Sequence, residues 1–225
     1  MKIGILMTGH AAPEIARHHG DYDAMFARLL AGHGFDFAAY NVVDEQYPAA
    51  PEACDGWLIT GSKHGAYEDH PWIAPLEAFI RAVRASGRPM VGVCFGHQII
   101  AQALGGRVTR YPGGWCVGRT EYEIDGETLA LNAWHQDQVV ALPDGADVIG
   151  RAAGCANAAM RIGDSILTIQ PHPEFDAPVM DGLIRHRGRG VVPDDLLARA
   201  ADRLAAPTDA PRFAGRMADF LTAER

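Results

Sequence analysis

The sequence predicts an α/β fold, in which an open, mixed and mostly parallel sheet lies between two layers of helices. Three observations lead to this prediction. Short apolar strands alternate with amphipathic helices through the first part of the chain, a rhythm typical of parallel β–α units. Residues 107–169 instead carry short β-rich pieces separated by turns such as Asp125-Gly126, which favour antiparallel hairpins. The 225 residues show no internal repeat and can form one hydrophobic core, so we expect a single domain over residues 1–225.

The first half of the chain contains strands and helices in alternation before a turn that carries a cysteine. A helix is predicted where apolar side chains recur every three to four residues, as at Met25, Phe26, Leu29 and Leu30. These patterns place strands over 2–7, 35–42, 56–60 and 89–93, and helices over 21–31 and 71–85. The glycine-containing loop 61–65 follows the third strand and is able to present backbone N–H groups.

The second half begins with short strands and ends with helices. Alternating patterns and turn residues place strands over 116–124, 128–134, 138–142, 148–152, 156–162 and 165–169. Helices follow over 176–187, 194–205 and 211–223, the last with Phe213 and Met217 on its apolar face.

Composition and charge narrow the range of functions. A net charge of −8 argues against a broad surface for nucleic acid or anionic membranes. The apolar run at the N-terminus is too short for a signal peptide and no later run reaches membrane-spanning length, so we expect a cytoplasmic protein. Four widely spaced cysteines form no Cys-x-x-Cys pair, which suggests neither a disulfide framework nor a zinc knuckle.

Cofactor motifs are missing from the sequence as well. The chain has no glycine-rich phosphate loop, so we expect neither ATP nor NAD to bind, and histidines such as His64 and His70 lack a metal-ligand spacing such as His-x-x-x-His. We therefore predict no cofactor and no metal. The basic stretch from Arg185 to Arg189 is interpreted as a solvated helix end, with binding of a phosphate-bearing ligand as the alternative.

Cys94 lies between a predicted strand and a predicted helix, with Gly92 and Gly96 two residues on either side. This is the spacing of a nucleophile elbow, where missing Cβ atoms let strand and helix approach and turn the nucleophile outward. The dipole of the following helix favours thiolate over thiol. Taken alone, the pattern also fits a buried structural cysteine.

Two further segments follow directly after strands of the same predicted sheet. Ligands of open α/β sheets bind at these carboxyl ends of the strands. Loop 61–65 follows one strand, and Gln170-Pro-His-Pro-Glu174 follows another. Pro173 favours extended backbone at His172, which lets His172 and Glu174 point the same way, so that the carboxylate orients the imidazole. A surface loop that collects proline and glutamate is the alternative.

The stretch Val91-Gly-Val-Cys-Phe-Gly-His-Gln98, together with Gln170-Pro-His-Pro-Glu174, resembles the class I glutamine amidotransferases. The resemblance extends to Ile59-Thr-Gly-Ser-Lys-His-Gly65 and Trp134-His-Gln-Asp-Gln138, and within the family it lies nearest the stand-alone, GMP-synthase-like branch that includes γ-glutamyl peptidases. It implies a flavodoxin-like sheet and a Cys-His-Glu triad of Cys94, His172 and Glu174. It also implies an oxyanion hole formed by the backbone of Gly61, Ser62 and Phe95, and a substrate pocket lined by Gln98 and His135.

The resemblance implies thiol-dependent hydrolysis of the γ-amide of glutamine through a γ-glutamyl thioester. One alternative is a γ-glutamyl peptidase that acts on glutathione-like peptides, and another is a non-catalytic, partner-binding subunit. The chain leaves no room for a synthetase domain, so ammonia made here is expected to be released or to serve a separate acceptor protein. Two interpretations of His97 remain open: its side chain lines the pocket, or it packs beneath the pocket.

Overall fold

The computed structural model describes residues 1–224, and its centre is a nine-stranded sheet. The helices are α1 Pro13–His19, α2 Tyr22–Leu29, α3 Ile73–Ser86, α4 Phe95–Ala103, α5 Ala177–Leu183, α6 Asp194–Asp202 and α7 Ala210–Thr222. The strands are β1 Lys2–Leu6, β2 Asp36–Tyr40, β3 Gly56–Ile59, β4 Met90–Val93, β5 Arg107–Arg110, β6 Cys116–Ile124, β7 Glu127–His135, β8 Asp137–Ala141, β9 Ala146–Ala152, β10 Cys155–Ile162 and β11 Ile166–Ile169.

The sheet has a parallel half and an antiparallel half. Its strand order is β2-β1-β3-β4-β11-β10-β9-β6-β7. Every pair from β2 to β11 is parallel, and every pair from β11 to β7 is antiparallel. Strands β5 and β8 form a separate antiparallel ribbon. The predicted open, mixed sheet between helices is therefore confirmed.

Alternation along the central strands creates one core on each face of the sheet. In β3, Leu58 joins the core that contains Phe26 of α2 and Met217 of α7. Its neighbours Trp57 and Ile59 join the opposite core, which contains apolar side chains of α3 and α4. Because successive strand side chains point to opposite faces, these buried strands need helices on both sides.

Three local features differ from the prediction. Helix α1 was missed because it has seven residues and buries a single side chain, Ile15, which is too little for a helical period. Strand β5 was missed because Val108 alone is buried among its four residues. The helix predicted over 176–187 ends in a π-helical turn at Ile184–Gly188. Among residues 1–224, no helix has both the length and the apolar character needed to cross a bilayer.

Candidate active site

Cys94 occupies a strained turn between β4 and α4. Its φ of 52° and ψ of −103° lie in a region that residues with a Cβ rarely adopt. A Cβ atom on Gly92 would lie 2.6 Å from both the Gly96 carbonyl oxygen and Ile100 Cδ1. A Cβ on Gly96 would collide with the backbone carbonyl of Ile59. Both glycines are therefore required for β3, β4 and α4 to meet at the cysteine.

His172 and Glu174 lie side by side on the segment after β11. The Glu174 carboxylate accepts a hydrogen bond from His172 Nδ1 at 2.7 Å, and both side chains are buried. The Phe175 ring stacks on the imidazole with centroids 4.0 Å apart and an angle of 6°. The backbone N–H of His172 donates to the Asn132 carbonyl of β7 at 2.8 Å. These contacts leave the imidazole little freedom to rotate.

The electrostatic surroundings of His172 favour its charged form. Burial lowers its pKa, but negative charge on Cys94 and Glu174 and hydrogen bonds with both outweigh this effect and raise the pKa to about 10. The imidazole therefore carries a proton at neutral pH. A cysteine facing an imidazolium has the partner that a thiolate requires.

The loop after β3 lies directly against this pair. A Cβ atom on Gly61 would be 2.9 Å from His172 Cε1 and 3.7 Å from Cys94 Cβ. Throughout residues 1–224, the backbone N–H groups of Gly61, Ser62 and Phe95 donate to no protein acceptor. These donors lie on the two segments that flank the thiol, as expected of groups able to receive an oxyanion.

Hydroxyl groups beneath the loop hold its first peptide. The Thr60 hydroxyl donates to the Gly61 carbonyl oxygen at 3.1 Å, and the single proton of the Thr8 hydroxyl is shared between the carbonyl oxygens of Thr60 at 2.9 Å and Gly61 at 3.1 Å. The Thr8 backbone N–H also donates to Thr60 Oγ1 at 3.1 Å. In a planar trans peptide, the N–H of Ser62 points away from that anchored carbonyl. Thr8 was not singled out from the sequence, since a lone threonine after a strand has no distinguishing pattern.

Gln98 and His135 both line the cleft outside the thiol. Gln98 Nε2 donates to the Asp137 carbonyl at 2.9 Å and to Gln170 Oε1 at 3.2 Å. His135 Nδ1 lies 3.3 Å from the same carbonyl, while its buried Nε2 has no protein partner in the described part of the chain. Burial, followed by the nearby charge of His172, lowers the His135 pKa to about 3. His135 is therefore neutral.

His97 packs beneath the site. Its side chain is fully buried, and Nδ1 lies 2.8 Å from Thr168 Oγ1 on β11. Burial is the main reason that its pKa falls to about 3. Of the two interpretations left open by the sequence, the structure selects packing.

The cleft above Cys94 has a volume of about 560 Å³. It is bordered by loop 61–65, the turn between β7 and β8, and the chain just after α5. The basic stretch interpreted as a solvated helix end lies here: His186, Arg187 and Arg189 line the cleft. Sequence reasoning did not connect this stretch with the site, because the π-helical turn at Ile184–Gly188 has no clear sequence signature.

A cluster of His64, Glu68 and His70 forms one edge of the loop after β3. The Glu68 carboxylate accepts hydrogen bonds from His64 Nδ1 at 3.2 Å and from His70 Nε2 at 2.7 Å. One potential ligand atom from each of the three side chains lies within 4.8 Å of the other two. Atoms at this separation can coordinate one metal ion. The sequence analysis weighed these histidines without Glu68 and missed the group.

An elbow cysteine, an imidazole held by a buried carboxylate and an open α/β sheet are together features shared with α/β enzymes that act on acyl groups. The family model for class-I glutamine amidotransferases matches residues 26–185. The chain belongs to the class-I glutamine amidotransferase family.

Known relatives match most of the chain. A glutamine amidotransferase-like protein of Schizosaccharomyces pombe is 31% identical, with 97% of this chain and 98% of that protein covered. Gamma-glutamyl peptidase 4 of Arabidopsis thaliana is 31% identical, with 74% of this chain and 72% of that protein covered. The crystal structure of a glutamine amidotransferase from Methylobacillus flagellatus has the same fold, with a TM-score of 0.76 at 24% identity and coverage of 98% of this chain and 93% of that one.

Proposed function

We propose that the protein hydrolyses the γ-amide of glutamine through a γ-glutamyl thioester on Cys94. The observation that carries this proposal is the buried histidine–carboxylate pair, in which Glu174 holds one ring nitrogen of His172 at 2.7 Å while Cys94 interacts with the same imidazole. A thiolate beside an imidazolium is the reactive form of a cysteine nucleophile. Family membership supports glutamine as the compound attacked.

The reaction has two halves, and His172 moves the proton in both. First, the Cys94 thiolate adds to the amide carbon, His172 gives its proton to the departing nitrogen, and ammonia leaves as the thioester forms. Then His172 takes a proton from water, the hydroxide adds to the thioester carbon, and glutamate leaves as the thiolate returns. Glu174 keeps the imidazole oriented and stabilises its charge.

The tetrahedral intermediates place negative charge on the former amide oxygen. The unpaired N–H groups of Gly61, Ser62 and Phe95 are the donors proposed to receive it. Removal of one such donor in other enzymes costs roughly 3–4 kcal/mol of transition-state stabilisation. Gln98 and His135, farther along the cleft, are proposed to contact the α-amino and carboxylate end of the substrate.

A γ-glutamyl peptidase is the second candidate function, and the size of the cleft favours it. The cleft volume of about 560 Å³ falls in the range of pockets that hold drug-sized ligands. Such ligands are larger than free glutamine. The Arabidopsis relative also carries the name gamma-glutamyl peptidase. The same chemistry would then release an amine or peptide instead of ammonia.

The experiment that tests both candidates measures glutamate, ammonia and amine release from glutamine and from γ-glutamyl peptides including glutathione. Wild type and Cys54→Ala, which removes a buried cysteine of the core, should turn over substrate, whereas Cys94→Ala should not. Turnover that survives in Cys94→Ala would refute the thioester. If the wild type released no product from any substrate, with or without candidate acceptor proteins, a non-catalytic partner-binding subunit would be favoured.

A further inference from the structure

Cationic side chains from three separate segments border the cleft. Lys63 comes from the loop after β3, Arg110 from the end of β5, and Arg187 and Arg189 from the chain just after α5. The cleft is also lined by two carboxylates, Glu68 and Asp137. The positive side chains are therefore in excess at this site, although the whole chain carries a net charge of −8.

None of these four cations forms a direct ion pair in the described part of the chain. Within residues 1–224, none has a carboxylate oxygen within 4.0 Å, and the closest polar contact of Arg110 is the neutral Gln136 side chain at 2.9 Å. Arg185, on the same turn as Arg187, differs because its guanidinium pairs with Asp181 at 2.9 Å. The cleft thus offers unpaired positive charge to a ligand.

Asp137 lies opposite Arg110 in the β5–β8 ribbon and attracts it through space, but neither cleft carboxylate makes a direct ion pair with any of the four cations. Glu68 accepts hydrogen bonds from two histidines, and Asp137 accepts one from the Tyr67 hydroxyl at 3.3 Å. They therefore do not neutralise the four cations by direct pairing.

The turn that carries Arg187 and Arg189 is held firmly against the body of the protein. Gly188 is buried between them, and a Cβ atom there would lie 2.5 Å from Leu197 and 3.2 Å from the Trp134 ring. The Gly188 carbonyl accepts hydrogen bonds from the N–H groups of Val191 and Val192 at 3.0 and 2.8 Å. The backbone beneath the two arginines is therefore fixed, so their side chains start from a defined position at the cleft.

We propose that Lys63, Arg110, Arg187 and Arg189 form an anion-binding rim that receives a carboxylate carried by the leaving amine of the substrate. This inference rests on the second candidate function, the γ-glutamyl peptidase, and narrows its substrates to γ-glutamyl peptides with a free carboxylate on the departing residue. Guanidinium groups match carboxylates in geometry and charge, and hydrogen bonds between charged groups are stronger than neutral ones. Free glutamine releases ammonia and leaves this rim without a ligand.

The chemical step is unchanged by this specificity. Cys94 attacks the γ-carbonyl carbon, the C–N bond to the departing amino acid or peptide breaks, and His172 supplies the proton that this nitrogen needs. Water then hydrolyses the thioester to glutamate. The rim acts on binding and orientation of the leaving group and takes no part in proton transfer.

The test compares γ-glutamylglycine with γ-glutamylglycinamide, which differ in the carboxylate on the leaving amine. Titration calorimetry on the full chain carrying Cys94→Ala measures binding without turnover. We expect the carboxylate compound to bind about tenfold more tightly, and we expect Arg187→Gln to remove most of that preference. Arg185→Gln is the matched control on the same turn and should leave the preference intact.

The outcomes separate this inference from the proposed function. Equal affinity for the two compounds would contradict the proposed anion-binding rim. An Arg187→Gln variant with equally reduced affinity for both compounds would also contradict it, since the arginine would then bind the α-carboxylate of the γ-glutamyl group. Turnover of γ-glutamylglycinamide by the wild type with Cys94 dependence would uphold the proposed function in either case. Absence of turnover of both compounds and of glutamine, with the binding preference retained, would refute the proposed hydrolase and leave the anion-binding rim supported.

Discussion

Thr8 illustrates how one buried hydroxyl controls the geometry of a site that it does not touch. Its hydroxyl lies 2.9 Å from the Thr60 carbonyl oxygen and 3.1 Å from that of Gly61, and the side chain is fully buried. Because the Gly61 carbonyl is held, the N–H of Ser62 on the other side of the same peptide has a fixed direction. Thr8 is therefore a positioning residue for the proposed oxyanion hole.

The first prediction concerns this hydroxyl. Thr8→Val keeps the shape of the side chain and removes the hydroxyl, so we expect kcat to fall about tenfold with little change in KM, because an oxyanion donor acts in the transition state. We also expect about 1–3 kcal/mol loss in the free energy of unfolding, since buried carbonyls lose a donor. Thr8→Ser retains the hydroxyl and should behave as wild type. A KM effect without a kcat effect would contradict the assigned role.

The second prediction concerns the proton on His172, whose pKa is raised to about 10 despite burial. Because the proton goes to the leaving nitrogen, kcat/KM should fall on the alkaline side as pH approaches that value. Glu174→Gln removes a negative charge that favours the imidazolium, so the His172 pKa falls and the alkaline limb moves to lower pH. The pH profiles of the two proteins, measured on one substrate, provide the comparison.

The control for this pH shift is Glu121→Gln, which removes an exposed carboxylate on β6. It should leave the alkaline limb where the wild type has it. An unchanged limb in Glu174→Gln would show that another group sets the profile.

At the scale of single elements, helix α4 depends on a glycine that helix α7 does not need. Gly96 lies in the first turn of α4, where a Cβ atom would collide with the Ile59 carbonyl at the end of β3. Gly215 lies inside α7, and nothing comes within 4 Å of a Cβ atom placed there. The same substitution should therefore have opposite effects in the two helices.

The third prediction follows from this contrast. Gly96→Ala should lower the free energy of unfolding by about 1–3 kcal/mol and abolish turnover, because backbone cannot yield as a flexible side chain does. Gly215→Ala should raise stability by about 0.5–1 kcal/mol, since alanine is the better helix former, and should leave turnover unchanged. Urea unfolding of both variants measures these effects. Equal effects at the two positions would show that the close approach of α4 to β3 is unimportant.

At the scale of the whole molecule, the site is assembled from both halves of the chain. Strand β11 lies between β4 and β10, so the segment with His172 comes to rest beside Cys94. A domain boundary between the parallel and antiparallel halves would divide this hydrogen-bonded sheet. We therefore propose that the chain folds as one domain, and we expect far-UV circular dichroism and tryptophan fluorescence to report the same unfolding midpoint. Separate midpoints would contradict this proposal.

Much of the fold was predictable because its signals are local. Strand β6 was predicted with the bounds that the structure shows, since its alternating pattern ends at the turn Asp125-Gly126. Helix α7 has a strong apolar face, and its predicted range differs from the observed one by a single residue at each end. Short elements with one buried side chain, such as α1 and β5, provide too few positions for a period to be recognised.

The sequence by itself determined the elbow around Cys94 and the pairing of His172 with Glu174. Both depend on the backbone properties of neighbouring residues, namely two glycines without Cβ and a proline that extends the chain. The tertiary structure alone decided that Thr8 lies under the proposed oxyanion loop, that His97 is buried, and that arginines after α5 line the same cleft as Cys94. These arrangements come from contacts between residues far apart in the chain, and from a π-helical turn, for which no local pattern exists.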